Sequence, residues 1–171
     1  MGNATGTADA CDSLRGAADT YTRLLERELG SELVAVVLFG SVARGEATAG
    51  SDIDLLVVCE TLPAGRFARL DRLARVDREF EDELRRLRAR GVDTRVVPLL
   101  KTRQEAERVV PLYLDMVEDA KLLVDRDGFF AGVLAGLRER LAALGAERRR
   151  RGAVRYWILK RDFRPGERIE L

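Results

Sequence analysis

Two aspartates set one residue apart, Asp52 and Asp54, open an otherwise apolar run, DIDLLVVC. In an extended segment such residues face the same side, with Cα atoms about 6–7 Å apart. Carboxylates that close repel one another and resist loss of solvent, so the pair calls for a cation between them. Hard oxygen donors with no His or Cys nearby suit Mg²⁺ or Mn²⁺. Upstream, Gly40 and Ser41 directly follow the apolar run LVAVVLF. A glycine there lets backbone N–H groups approach an anion, and the next turn can open a helix whose N-terminus favours phosphate. Arg44 adds a planar fork for phosphate oxygens, and Gly45 lets the chain double back. Alone, a Gly-Ser after a strand is usually a turn and an Asp-x-Asp is usually surface charge. Joined by ten residues that include Arg44-Gly45, they point to one ligand: a polyphosphate bridged to a carboxylate-held metal. In-line displacement at phosphorus is a natural use of that arrangement.

Composition narrows the chemistry further. The 171 residues include no histidine, which excludes Ser-His and Cys-His catalysis, His-ligated zinc and imidazole acid–base work. Any such work falls to carboxylates, lysine or the backbone. Cys11 and Cys59 form no CxxC pair, and Cys59 ends an apolar run, so a buried free thiol in a reducing compartment is expected. No apolar stretch reaches the roughly 18 residues that span a bilayer. The N-terminus lacks the basic start and apolar core of a signal peptide. The expectation is a cytoplasmic protein without a membrane partner. Net charge is +1, but residues 138–171 carry +6 and the remainder −5, a basic tail on an acidic body.

The elements that position the aspartates follow from periodicity. Residues 1–7 are small and polar and read as a frayed end. Leu14, Ala18, Tyr21, Leu25 and Leu29 recur at helical spacing over residues 8–29, and Gly30 can close that helix. Residues 33–39 and 53–59 read as buried strands. Phe67, Leu70, Leu73, Val76, Phe80, Leu84 and Leu87 form one stripe of a long amphipathic helix ending at Gly91. Residues 92–100 read as a third strand, with Pro98 marking an edge. Thr102 and Glu105 make a capping box, and Pro111 restarts or kinks the helix that follows. Residues 121–124 are a short strand candidate, and Phe129 through Leu144 define a last helix before the run Arg148–Arg151. The expected fold is α/β (α+β), a small mixed sheet with helices packed on it and a helical C-terminal extension. Its expected division is a core over residues 8–100 and an extension with basic tail over 101–171.

The pattern GSxxRG, a spacer, then SDxDL resembles the polymerase-beta-like nucleotidyltransferase superfamily, in particular its small members. Gly40, Ser41, Arg44, Gly45, Ser51, Asp52, Asp54 and Leu55 carry that resemblance. It implies a mixed sheet with helices on one side, Gly40 and Ser41 at the triphosphate, and Asp52 and Asp54 on divalent metal. Arg44 and Ser51 join the nucleotide-binding set. The implied reaction moves a nucleoside monophosphate from an NTP, ATP foremost, to an acceptor hydroxyl and releases pyrophosphate. A third carboxylate on a later strand normally completes such a site. Asp93 in GVDTRVVPL is the candidate, as metal ligand or general base, although Arg95 departs from the family pattern and Asp93 can equally cap the strand entry. Small relatives include antibiotic-modifying enzymes and antitoxins acting on a HEPN-type protein partner, and the short chain favours the antitoxin-like case. The rival expectation is a weakly active or inactive nucleotide- or nucleic-acid-binding module. Its motive is the basic tail, where Tyr156 and Trp157 stand among arginines. These rings could stack bases or anchor the tail to the body, and anchoring is the expectation.

Overall fold

The computed structural model describes residues 4–152, 154–164, 167 and 169. Four strands build the central sheet: β1 (Leu33–Phe39), β2 (Ile53–Cys59), β3 (Val96–Thr102) and β4 (Lys121–Asp125). Their order is β3-β2-β1-β4, with β1 antiparallel to β2 and β4 and with β2 parallel to β3. The sheet is therefore mixed. β1 and β2 take the interior places because their side chains are apolar on both faces. Six residues of β1 are buried, and Asp54 is the one residue of β2 that is not. β3 lies at an edge, where the missing N–H of Pro98 costs no ladder bond.

A sheet apolar on both faces needs cover on both, and here the structure corrects the implied one-sided arrangement. On one face α1 (Ala4–Leu29) and α4 (Ala74–Ala89) bury Leu14, Tyr21, Leu25, Phe80 and Leu87 against Val36, Leu38, Leu55 and Val57. On the other, α6 (Leu112–Asp119) and α7 (Phe129–Ala143) bury Tyr113, Met116, Phe130 and Leu137 against Val34, Val37, Leu56 and Val58. Each layer has an edge-to-face aromatic pair. Tyr21 meets Phe80 at 5.1 Å, and Tyr113 meets Phe130 at 5.2 Å. The Tyr21 hydroxyl also donates to Asp77 Oδ1 at 2.6 Å, tying α1 to α4.

Several boundaries differ from expectation. The long helix is two, a short α3 (Arg66–Asp71) and then α4, so Phe67 of the expected stripe is 87% exposed while Leu73 onward packs. Strand β3 begins at Val96 rather than Val92, because its parallel register opens with Val96 opposite Ile53. The expected division at residue 100 crosses the sheet, since β4 hydrogen-bonds to β1. The C-terminal segment is not only helical. After α7 comes a β-hairpin, β5 (Glu147–Arg151) and β6 (Val154–Ile158), which contains the arginine run. Trp157 packs onto the second core while Tyr156 is 42% exposed, which is the anchoring arrangement. Met1, Gly2 and Asn3 of the expected frayed start, and Pro165, Gly166 and Glu170 of the tail, lie outside the described residues.

The capping box forms at α5 (Arg103–Glu107): Glu105 N–H donates to Thr102 Oγ1 at 3.1 Å and Thr102 N–H to Glu105 Oε2 at 2.9 Å. Thr102→Ala is expected to lower stability by about 1 kcal/mol, read from urea unfolding. Arg69 grips the same Glu105 with two bonds of 2.7 and 2.8 Å. That guanidinium first, and the Thr102 amide second, hold the Glu105 carboxyl down at about 2. A depressed folded value stabilises the fold above the ordinary carboxyl range and loses that contribution as pH falls through the folded value. Glu105→Gln should therefore destabilise the protein near neutral pH, and the deficit should close as titrations approach pH 2.

Candidate active site

The site begins where β1 ends. Phe39 pairs with Asp54 across the antiparallel ladder, and the chain then turns at once into α2 (Gly40–Arg44). Gly40 has φ of +73°, a left-handed conformation that side chains resist. A methyl added there would overlap Asp54 Oδ2 and stand 3.1 Å from Asp54 Cγ. The glycine therefore does two things, making the turn and admitting the carboxylate against the backbone. Gly45, with φ of +75°, caps α2 with its N–H directed to Ser41 and Val42 carbonyls. Ser41 O also accepts from Glu46 N–H at 2.9 Å.

Asp52 and Asp54 stand together at the open end of β2. Burial is the main cause raising the Asp54 carboxyl above its ordinary value, the Asp52 charge adds to it, and Arg44 opposes it. Arg95 reaches Asp52 Oδ2 with Nε at 3.2 Å and Nη2 at 3.1 Å. Asp93, the candidate third carboxylate, is not brought to this pair as a ligand. It lies in the loop before β3 with its side chain 88% exposed and 3.4 Å from Arg88. Its N–H donates to Ala49 O at 2.8 Å, and Thr94 Oγ1 to Ser51 O at 2.7 Å, so the loop is laced to residues 49–51 instead. Asp93 and Asp52 edge one shallow depression, each claimed by its own arginine. The β3 residue in register with Asp54 is Val97, and β3 contains no carboxylate. Among the described residues no three Asp, Glu, Cys or His side chains gather to hold a metal. Ser51 serves the loop, its Oγ accepting from Thr48 N–H at 2.9 Å.

Three features were not anticipated from sequence. Arg95 meets Asp52, and the signal for it was its departure from the family pattern. Glu46, next to Gly45, pairs with Arg44 Nε at 3.0 Å and also with Arg155 of β6. Arg148 of β5 binds Asp119 of α6, with Nη1 at 2.8 Å from Oδ1. The hairpin is thus fastened beside the glycine turn, a contact across 109 residues that no local pattern reveals. The cysteines keep their expected place: both are buried and free, and burial pushes the Cys59 thiol up to about 11.

A mixed sheet with a Gly-Ser turn set against paired strand aspartates defines a nucleotidyl-transfer fold, and the chain belongs to the nucleotidyltransferase domain family, whose profile matches residues 22–124. The matched span includes β4. One relative, a Methanocaldococcus jannaschii protein named as a candidate protein adenylyltransferase, is 28% identical over 121 residues, 71% of this chain and 78% of that one. Among solved structures, a toxin-antitoxin with AMP-PNP is 19% identical with a TM-score of 0.45, covering 75% of this chain and 92% of that one. The toxin-antitoxin MntA-HepT is 17% identical with a TM-score of 0.41, covering 77% and 92%. Among the described residues, no helix is long and apolar enough to cross a membrane.

Proposed function

We propose that this chain transfers adenylate from ATP to a hydroxyl of a protein, releasing pyrophosphate. The observation that carries the reading is the Asp52–Asp54 pair at the open end of β2, with Gly40 shaped to admit Asp54. The name of the Methanocaldococcus relative supports ATP and a protein acceptor. The resemblance to small antitoxins puts a HEPN-type protein forward as that acceptor.

A hard divalent cation fits the donor set in a reduced form. Mg²⁺ commonly takes one or two carboxylates and completes its shell with phosphates and water. Asp52 and Asp54 are such a pair, and the raised carboxyl of Asp54 is what an added positive charge would relieve. When bound, Mg²⁺ or Mn²⁺ would offset phosphate charge as a Lewis acid. The chain's own residues do the rest. Gly40 and Ser41 present backbone toward the phosphates, and Arg44, the last residue of α2, acts electrostatically on Asp54. To hold such an ion Asp52 would have to give up its Arg95 partner, so Arg95 would compete with it. The acceptor oxygen bonds to the α-phosphorus as the α–β bridge breaks, and the electron pair leaves with pyrophosphate. We assign the acceptor's proton to water, a choice supported by the exposure of the Asp93 side chain beside Arg88.

A second reading is favoured by the absence of a carboxylate from β3: a module that binds nucleotide and turns over slowly. One experiment addresses both. The purified protein is incubated with each α-labelled NTP, Mg²⁺ and cell lysate, and protein and nucleic acid are examined for label. Label on a protein, strongest with ATP, supports transfer. Mg²⁺-dependent ATP binding without label favours the second reading. Salt-sensitive nucleic-acid binding that survives loss of both aspartates would separate a role of the basic hairpin from either.

A further inference from the structure

The hairpin and the glycine turn meet at one carboxylate. Glu46 lies immediately after the cap of α2 and is held by two guanidinium groups, Arg44 from the turn and Arg155 from β6. Both arginine side chains are about three-quarters buried, at 23% and 24% exposure, while Glu46 is 41% exposed. Arg44 also acts on Asp54 electrostatically, and both Arg44 and Arg155 act on Asp119. Ion pairs therefore run from Arg44 through Glu46 to the hairpin, and Arg44 feels the charge of Asp54 from the turn. The β5 strand is pinned at the other side by Arg148 on Asp119, and Trp157 anchors β6 in the core. Arg155 is thus presented by a braced element rather than by a loose tail. Two restrained guanidinium groups converging on a carboxylate form an anion site whose present occupant belongs to the protein itself.

We infer that Arg44 and Arg155 together form the grip for the outer phosphates of the nucleotide, and that Glu46 is the resting occupant a polyphosphate displaces. This rests on the nucleotide reading of the Gly40 turn and adds a residue from the C-terminal hairpin to it. Outer phosphates bring more charge and more acceptor oxygens than a single carboxylate, and guanidinium forks bind them bidentately. Glu46, the most exposed of the three, can swing to solvent at little cost. The hairpin is then a part of the substrate site, and its basic character has a specific user. Selectivity follows from the same geometry: a nucleotide lacking outer phosphates cannot displace Glu46 from both arginines.

Calorimetric titration of the full chain with ATP and AMP, each with and without Mg²⁺, tests this. Arg155→Ala is expected to weaken ATP binding about tenfold and to change AMP binding little. Glu46→Gln is expected to tighten ATP binding about threefold, and most of that gain should vanish in the double variant with Arg155→Ala. Arg151→Ala, an exposed change on the same hairpin, controls for general charge. Equal losses for ATP and AMP in Arg155→Ala would mark a merely structural role and overturn the inference, as would unchanged ATP binding. Weaker ATP binding in Glu46→Gln would also overturn it. If the unmodified protein failed to bind ATP at all, the nucleotide reading itself would fall, and this inference with it.

Discussion

Asp54→Asn is expected to lower adenylate transfer by about three orders of magnitude or more while leaving the protein as stable as before or slightly more stable. The two halves of that result have one cause. Asp54 is the half-buried position of an otherwise buried strand, and it lies beside Asp52. Its surroundings disfavour the charged carboxylate, first through burial and then through the like charge of Asp52. A neutral amide of the same shape removes that penalty, so the fold gains or breaks even. Function loses because the amide is a poor ligand for a hard cation and, among the described residues, no third carboxylate gathers with the pair to hold a metal. The loss of several kcal/mol of charge stabilisation corresponds to that drop in rate. Thermal melting and transfer of labelled adenylate, measured on one preparation, read the two halves together. An inactive variant that melted far below the parent would assign Asp54 to the fold instead.

Gly40→Ala carries the second large effect. The added methyl meets two costs at one position. The left-handed backbone costs a non-glycine residue about 1–2 kcal/mol, and the methyl collides with the Asp54 carboxylate. Either β1 and α2 part slightly or Asp54 turns away, and both outcomes separate the turn from the aspartate pair. Transfer should fall about a hundredfold or more, since displacements near 1 Å in such sites have that effect. Gly30→Ala supplies the contrast. Gly30 has φ of +51° with nothing near its added methyl, so it should cost stability of similar size and leave transfer intact. Equal activity losses in both variants would remove the special role of Gly40.

Much of this was legible before the fold was known, and the reasons are local. β1 is a continuous apolar run closed by Gly40 and β2 is apolar but for Asp54, so their limits and interior placement followed from residue type alone. Pro98 announced an edge strand, and β3 is one. Thr102 and Glu105 announced a cap that forms. β3 starts later than the expected residue 92 for a reason of register. Residues 92–95 have strand-like composition, yet parallel pairing starts only at Val96, which leaves Asp93 in the preceding loop beside Arg88. The hairpin escaped notice because ERRRR lacks the apolar alternation of a half-buried strand, and its pairing depends on Gly152 and on acidic partners far away in sequence. Helices cover both faces where the resemblance implied one, because β1 and β2 bury apolar side chains on both sides.

Asp52 and Asp54 are expected to direct transfer at the α-phosphorus of ATP. The most direct measurement compares α-labelled with γ-labelled ATP, Mg²⁺ present, on one purified acceptor protein, using the parent chain and Asp54→Asn. Stable label should reach the acceptor from the α position only, the γ label should leave as pyrophosphate, and neither should occur in the variant. Label retained from the γ position, or transfer undiminished in Asp54→Asn, would contradict it.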